Sequence, residues 1–333
     1  VGVLIVDLEA QYRATVEHVT NMVTRYADNI DLHWVCLPMS LRNAVSNYEP
    51  TWMCWDPEAE ELWVRDKPVE SITAQYDWFI DGMEFEEFVV LWGEWYAQGK
   101  PTGGFVGIRA DESLNRFRTI AVWDKEMYQG QRWTTRIGDG DLFNLYPIYD
   151  GRTEDIWRFH GKYPDLESNR VYDLMYQAGV PLSQQRLCQP YGVDQRKGLW
   201  LYHILEPDTW FKLIARVNGA NTGALYIQES GNITGQRVIT KPVDHTWKSF
   251  TNLLLSSLPQ PTREHYIKRF QSFIKGWRGR GYSELPDWAP KVLEDAQWAP
   301  SYRRLAKVLL RNDWWCKGLG QQQPKSEAYG QYL

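Results

Sequence analysis

The sequence predicts an α/β protein: a doubly wound, mainly parallel sheet followed by a mostly helical C-terminal region. Three observations lead there. Val1–Asp7 is apolar throughout and closes on an acid, as a strand buried on both faces does. Val16, Val19, Met22 and Val23 then recur at helical spacing within Arg13–Tyr26, and Leu32–Leu37 reads as a second strand. From about Val193 onward helical patterns dominate, which separates a C-terminal region from the strand–helix–strand rhythm before it.

The remaining elements follow in order. Ser40 to about Trp78 is rich in Trp and Pro, lacks a clear period, and reads as an insertion or lid covering about 40–80. Glu84–Gln98 places Phe85, Phe88, Val89 and Trp92 on one helical face. Gly103–Ile108 reads as a strand, with a helix from about Asp111, and Leu142–Ile148 as another strand. Thr153 is placed to cap a helix running through His160. Glu206-Pro207 starts a helix with Pro in its first turn. Asn218–Gly235 reads as loops or a hairpin, and three helices are expected near Trp247–Leu258, Thr262–Trp277 and Ser301–Asn312. The expected boundaries are an α/β domain over 1–192, a helical domain over 193–318 and a polar, disordered tail over 319–333.

Composition narrows the function classes. A chain of 333 residues holds one large α/β domain and a smaller helical one. The net charge of -5 excludes a uniformly basic nucleic-acid binder but leaves room for a local basic patch. No run of about 18 apolar residues predicts a transmembrane helix, so no membrane partner is expected. Val1 sits in an apolar strand with no initiator Met, so an upstream segment is expected. The four cysteines, Cys36, Cys54, Cys188 and Cys316, form no C-x-x-C pair, which argues against a zinc ribbon, a thioredoxin-like site or a self-contained iron–sulfur cluster. Their scarcity fits a reducing cytoplasm. The 18 tryptophans read chiefly as core and interface packing, with a base-stacking surface as the alternative.

Four segments carry candidate chemistry. Val6-Asp7-Leu8-Glu9-Ala10-Gln11-Tyr12 lies at the carboxyl end of the first strand, where open α/β sheets bind ligands; a loop acid or helix cap is the alternative for Asp7. Gly107-Ile108-Arg109-Ala110-Asp111-Glu112-Ser113, followed by Arg116, ends a strand and opens a helix. Helix amides favour phosphate, Arg109 offers a planar fork to it, and Asp111 and Glu112 read as magnesium ligands or helix caps; a salt-bridged turn explains the same residues. Tyr146-Pro147-Ile148-Tyr149-Asp150 leads into the helix at Thr153 and reads as architecture. Tyr176 and Gln177 precede the helix-stopping Gly179-Val180-Pro181, after which Arg186, Cys188 and Gln189 lie in a loop. A thiol near an arginine is a candidate nucleophile; a small buried hydrophobe is the reading favoured for Cys188.

In this order the four segments, with Gly198-Leu199-Trp200-Leu201-Tyr202-His203, resemble the phosphoadenosine-phosphosulfate (PAPS) reductase superfamily of ATP pyrophosphatases, in the branch of the immunoglobulin-binding regulator A proteins. The resemblance runs from Val6 to about Trp314-Trp315-Cys316. It implies a Rossmann-like adenine nucleotide alpha hydrolase fold and makes 1–192 the nucleotide-binding domain. It further implies ATP and Mg2+ as cofactors, with adenine near Val6 and Asp7 and a phosphate loop upstream of Val1. Glu9, Gln11, Ser113 and Arg116 join the nucleotide site; Arg109, Asp111 and Glu112 become the catalytic group; Tyr176, Gln177, Arg186, Cys188 and Gln189 become the substrate side. The implied reaction splits ATP between its α and β phosphates and adenylates an acceptor, with sulfur transfer or nucleic-acid modification as the attractive version. Two departures stand out. The Ser-Gly-Gly-Lys-Asp-Ser type loop is not in these residues, and Trp315-Cys316-Lys317-Gly318 is not the Glu-Cys-Gly-Leu-His motif of true PAPS reductases.

The same resemblance carries a second reading, a non-catalytic regulator working with a ParB-like protein. Between Arg263 and Lys317 twelve basic residues face six acidic ones, a net of +6, with Phe270, Phe273, Trp277 and Tyr282 interleaved. A basic aromatic face binds nucleic acid; a solvated helix face is the alternative. A redox role for Cys188 or Cys316 is the third and weakest reading.

Overall fold

The computed structural model describes residues 1–46, 49–73, 76–121, 124–192, 198–220 and 241–321. Its strands, in chain order, are β1 (Gly2–Val6), β2 (Asp31–Val35), β3 (Ser40–Arg42), β4 (Thr51–Met53), β5 (Thr102–Phe105), β6 (Thr134–Ile137) and β7 (Leu142–Leu145). Its helices are α1 (Arg13–Arg25), α2 (Phe85–Ala97), α3 (Leu114–Ala121), α4 (Thr153–Lys162), α5 (Val171–Gln177), α6 (Leu199–Leu205), α7 (Pro207–Arg216), α8 (Trp247–Ser256), α9 (Gln260–Arg278), α10 (Lys291–Asp295) and α11 (Tyr302–Leu310).

The α/β class holds, and the described strands form three small sheets. β1 and β2 pair in parallel, with Gly2 opposite Asp31 and Val6 opposite Val35, as do β5 and β7, with Thr102 opposite Leu142, and isolated parallel bridges join Val35 to Ile72 and Ser40 to Glu84. β6 runs antiparallel to β7 at the edge of its sheet. It went unread in the sequence because Thr-Thr-Arg-Ile has neither an apolar run nor a clean alternation.

The chain divides into two compact units. The first comprises Val1–Ser40, Cys54–Leu187 and Ile204–Thr209. Here α1 is the crossover between β1 and β2, as a parallel pair requires. Trp34, Trp55, Phe88, Met39 and Met83 are fully buried within it. Gly93 of α2 lies where a Cβ would strike Leu142 of β7, so the missing side chain lets helix and sheet approach.

The second unit comprises Leu41–Met53, Cys188–His203 and Trp210–Leu333. Tyr266, Phe270, Phe273 and Trp277 repeat at spacings of three and four along α9 and bury one face against Leu305, Val308 and Leu309 of α11. Ser301 caps α11 by accepting from the Arg304 amide. The segment expected as a single insertion over 40–80 is therefore divided: 41–53 belongs to the second unit and 54–80 to the first. Within these units Trp52 packs edge-on against Tyr191 and Trp55 against Trp63. Most of Asn218–Gly235 and of the tail over 319–333 lies outside the described residues.

Candidate functional site

β5 and β7 run parallel, so their carboxyl ends release two loops side by side, and each loop feeds a helix, α3 or α4. The loops are tied where the Ala110 amide donates to the Tyr149 carbonyl at 2.8 Å. Ser113, directly before α3, accepts from the Arg116 amide at 3.2 Å and closes that helix start. Thr153 is the first residue of α4, with Arg152 at the capping position, so the cap lies one residue earlier than the sequence suggested.

Arg109 projects between these two helix starts. Its side chain is only 13 % exposed, yet among the described residues none of its contacts is short. One terminal nitrogen lies 3.4 Å from the Gly151 carbonyl, and both lie 3.4 Å from the Thr153 hydroxyl. Nε lies 3.4 Å from Glu112, and the nearest Asp111 oxygen is at 3.7 Å. Charge-assisted hydrogen bonds reach about 2.7–2.9 Å, so this guanidinium is held without being saturated. Gly151 lies alongside: a Cβ there would be tight against the Ile148 carbonyl at 3.2 Å and in ordinary contact with Arg109 Cδ at 3.8 Å. Glu112 also pairs with Arg116 at 2.9 Å, and Arg186 donates to the Glu112 carbonyl.

The structure thus gathers Arg109, Asp111, Glu112, Ser113 and Arg116, expected from sequence on the nucleotide side, and adds Arg186, expected on the substrate side, with Gly151 and Thr153. Three guanidinium groups beside two helix starts fit a phosphate or carboxylate ligand. The carboxylates of Asp111 and Glu112 face arginines, and among the described residues no group of three or more His, Cys, Asp or Glu is placed to share a metal ion.

Asp7 and Glu9 form a different group at the end of β1. Val6 ends that strand, half-buried. Asp7, 3 % exposed, accepts from Trp34 Nε1 at 2.9 Å and from the Glu9 amide at 3.0 Å, and it pairs with Arg65. Glu9 is fully buried and holds a left-handed backbone at φ 66°. Its two carboxylate oxygens accept the amides of Trp55 at 2.7 Å and Val64 at 3.1 Å. Both acids therefore bind segment 54–67 to the strand end. Arg65 and Lys67 lie over the Trp55 ring, and Lys67 also covers Trp63. No sequence signal pointed to Arg65, because the contact joins residues 58 apart. The half-buried Gln11 follows, its amide donating to the Glu9 carbonyl. The start of α1 is also taken by a carboxylate of the protein: buried Glu206 accepts the Arg13 and Ala14 amides.

The substrate-side residues separate. Tyr176 and Gln177 are exposed at the end of α5, and Arg186 belongs to the first unit. Cys188 and Gln189 belong to the second, where Gln189 donates to the Arg42 carbonyl and accepts the Tyr191 amide. Cys188 is exposed, against the favoured reading of a buried small hydrophobe. Cys316 is buried, and burial, followed by the charge of Asp313, pushes its thiol up to about 12.

The aromatic residues of the basic C-terminal segment require a correction as a stacking surface. Phe270, Phe273 and Trp277 are core residues and Tyr282 packs against them, because their spacing is that of the buried face of α9. Several of the basic residues are also committed. Arg304 is buried and donates to the Ala299 and Gly318 carbonyls. Arg303 and Lys307 bind buried Glu294 at 2.9 and 3.2 Å. Lys268, Lys275 and Arg278 remain exposed along α9.

Fold and loops together define a mixed α/β protein with two parallel β-loop-helix units side by side. The model of a domain of unknown function, DUF3440, matches residues 179–297. The chain is 40 % identical over 334 residues to the uncharacterized protein YbdN of Escherichia coli strain K12, covering 99 % of this chain and 81 % of YbdN, and it belongs to the YbdN family. No solved structure matches it. Among the described residues no helix is long and apolar enough to cross a membrane.

Proposed function

We propose that the loops after β5 and β7 bind the phosphates of an adenine nucleotide, and that the protein is a cytoplasmic, PAPS-reductase-like ATP pyrophosphatase that adenylates an acceptor. The observation that carries this reading is Arg109: largely buried, flanked by two helix starts, and without one short hydrogen bond among the described residues. An anion between Arg109, Arg116 and the start of α4 would satisfy those donors and offset charge on a leaving pyrophosphate. The two parallel pairs, β1–β2 and β5–β7, are read as stretches of one doubly wound, Rossmann-like arrangement with its ligand at the strand ends. A magnesium ion carried by ATP would meet Asp111, which is more than half exposed. The test is ATP binding and pyrophosphate release by the full-length protein, with sulfur acceptors and nucleic acid as candidate co-substrates. Binding that is lost in Arg109→Ala supports the reading; no ATP binding by folded protein overturns it.

The second reading is a regulator that sits on DNA beside a ParB-like partner. It is favoured by the exposed cations Lys268, Lys275 and Arg278, which lie at spacings of seven and three along α9 and so share its outer face. A DNA mobility shift that weakens with salt and with neutralisation of these three residues supports it. Binding indifferent to salt and to those changes counts against it.

A further inference from the structure

Resting on the reading of the β5 and β7 loops as an anion site, we propose that Glu112 is an internal stand-in for the ligand: its carboxylate holds Arg109 and Arg116 in place and competes with a phosphate ligand for them. One oxygen of Glu112 lies 3.4 Å from Arg109 Nε and the other 2.9 Å from Arg116 Nε, so a single carboxylate bridges both guanidinium groups. A largely buried Arg109 without an anion would be costly, and the other acid near it, Asp111, is farther away and more exposed. Glu112 therefore solves a folding problem that the ligand solves when bound.

The geometry allows the exchange. The backbone of the turn is fixed independently of the carboxylate: the Glu112 amide donates to the Arg109 carbonyl at 3.2 Å, and Arg186 holds the Glu112 carbonyl. The side chain is 26 % exposed, so rotation about its own bonds carries the carboxylate toward water. The terminal nitrogens of Arg109 stay directed at Gly151 and Thr153, at the start of α4, where the incoming anion would be received. The wild-type affinity is then the intrinsic affinity reduced by the displacement of Glu112, and a neutral residue of the same shape removes that reduction.

The experiment is calorimetric titration of full-length protein with inorganic pyrophosphate, without magnesium and at low salt, for wild type, Glu112→Gln and Arg109→Ala. Glu112→Gln is expected to bind about fivefold tighter, the scale of one partly exposed ion pair, and Arg109→Ala to lose binding. Unchanged or weaker binding by Glu112→Gln, with loss in Arg109→Ala, overturns the stand-in role and leaves the anion site intact. If neither wild type nor Glu112→Gln binds while both show the same thermal unfolding, the site and the inference fail together. Should Glu112→Gln not fold, Glu112→Asp replaces it: shorter by one methylene, it cannot span both arginines, and binding no tighter than wild type overturns the proposal.

Discussion

The indole Nε1 of Trp34, on β2, donates to the carboxylate of Asp7 at 2.9 Å, just beyond the end of β1. The parallel register makes this pair possible, since Val6 stands opposite Val35. The other oxygen of Asp7 takes Arg65 and the Glu9 amide. Asp7→Ala leaves Arg65 and the Trp34 N–H without their acceptor, and we expect a loss of about 3 kcal/mol or more in urea denaturation. A loss well under 1 kcal/mol would show that the carboxylate is dispensable to the fold.

Glu9 is expected to control the segment it binds rather than the whole unit. Removing its carboxylate in Glu9→Ala strands two buried amides, at about 1–3 kcal/mol each. Hydrogen exchange at Trp55 and Val64 should accelerate strongly, while exchange within α2 changes less. Uniform acceleration across the unit would contradict this local role.

Glu294 gives the second unit an acid-sensitive point. Burial raises its carboxyl pKa, but bonds from Ser301, Arg303 and the Ala289 amide, with the charge of Arg303, outweigh burial and hold it below the ordinary 4.5. A depressed folded value means the stabilisation is complete above the unfolded value and lost as pH falls through the folded one. Glu294→Gln should therefore cost most near pH 7 and progressively less in acid. Denaturation at pH 7 and pH 3 compares the two, and an equal cost at both would refute it.

The two faces of α9 should respond differently. Phe273→Ala opens the core and is expected to cost about 3–5 kcal/mol. Lys275→Ala, on the exposed face, should stay within about 0.5 kcal/mol. Thermal unfolding separates them, and a costly Lys275→Ala would place that lysine in a contact network.

Thiol labelling of the native protein should mark Cys188 first, since it is exposed while Cys36, Cys54 and Cys316 are buried. Cys36 and Cys316 are further protected because burial raises both pKa values and suppresses the thiolate. Rapid native labelling of Cys188→Ser would refute this.

Local pattern carried much of the fold. The Val1–Asp7 strand, the Arg13–Tyr26 helix, the Glu84–Gln98 helix and the helix opening at Pro207 lie close to where periodicity and proline placed them. The gathering of Arg109, Asp111, Glu112 and Arg116 was legible too, because they occupy one turn between a strand and a helix. Arg186, the bond from Trp34 to Asp7 and the hold of Glu9 on Trp55 and Val64 were not, since each joins residues far apart in sequence.

By itself the sequence determined the α/β class, most elements and the charged turn after β5, because these depend on neighbours a few positions away. Only the tertiary structure decided how each charge is partnered. It turned Asp7, Glu9 and Glu206 inward onto the protein's own donors, sent Phe270, Phe273 and Trp277 into the core, and left Arg109 with long contacts alone among the described residues. The reason is physical: a polar side chain spends its hydrogen bonds on whatever the fold brings within about 3 Å.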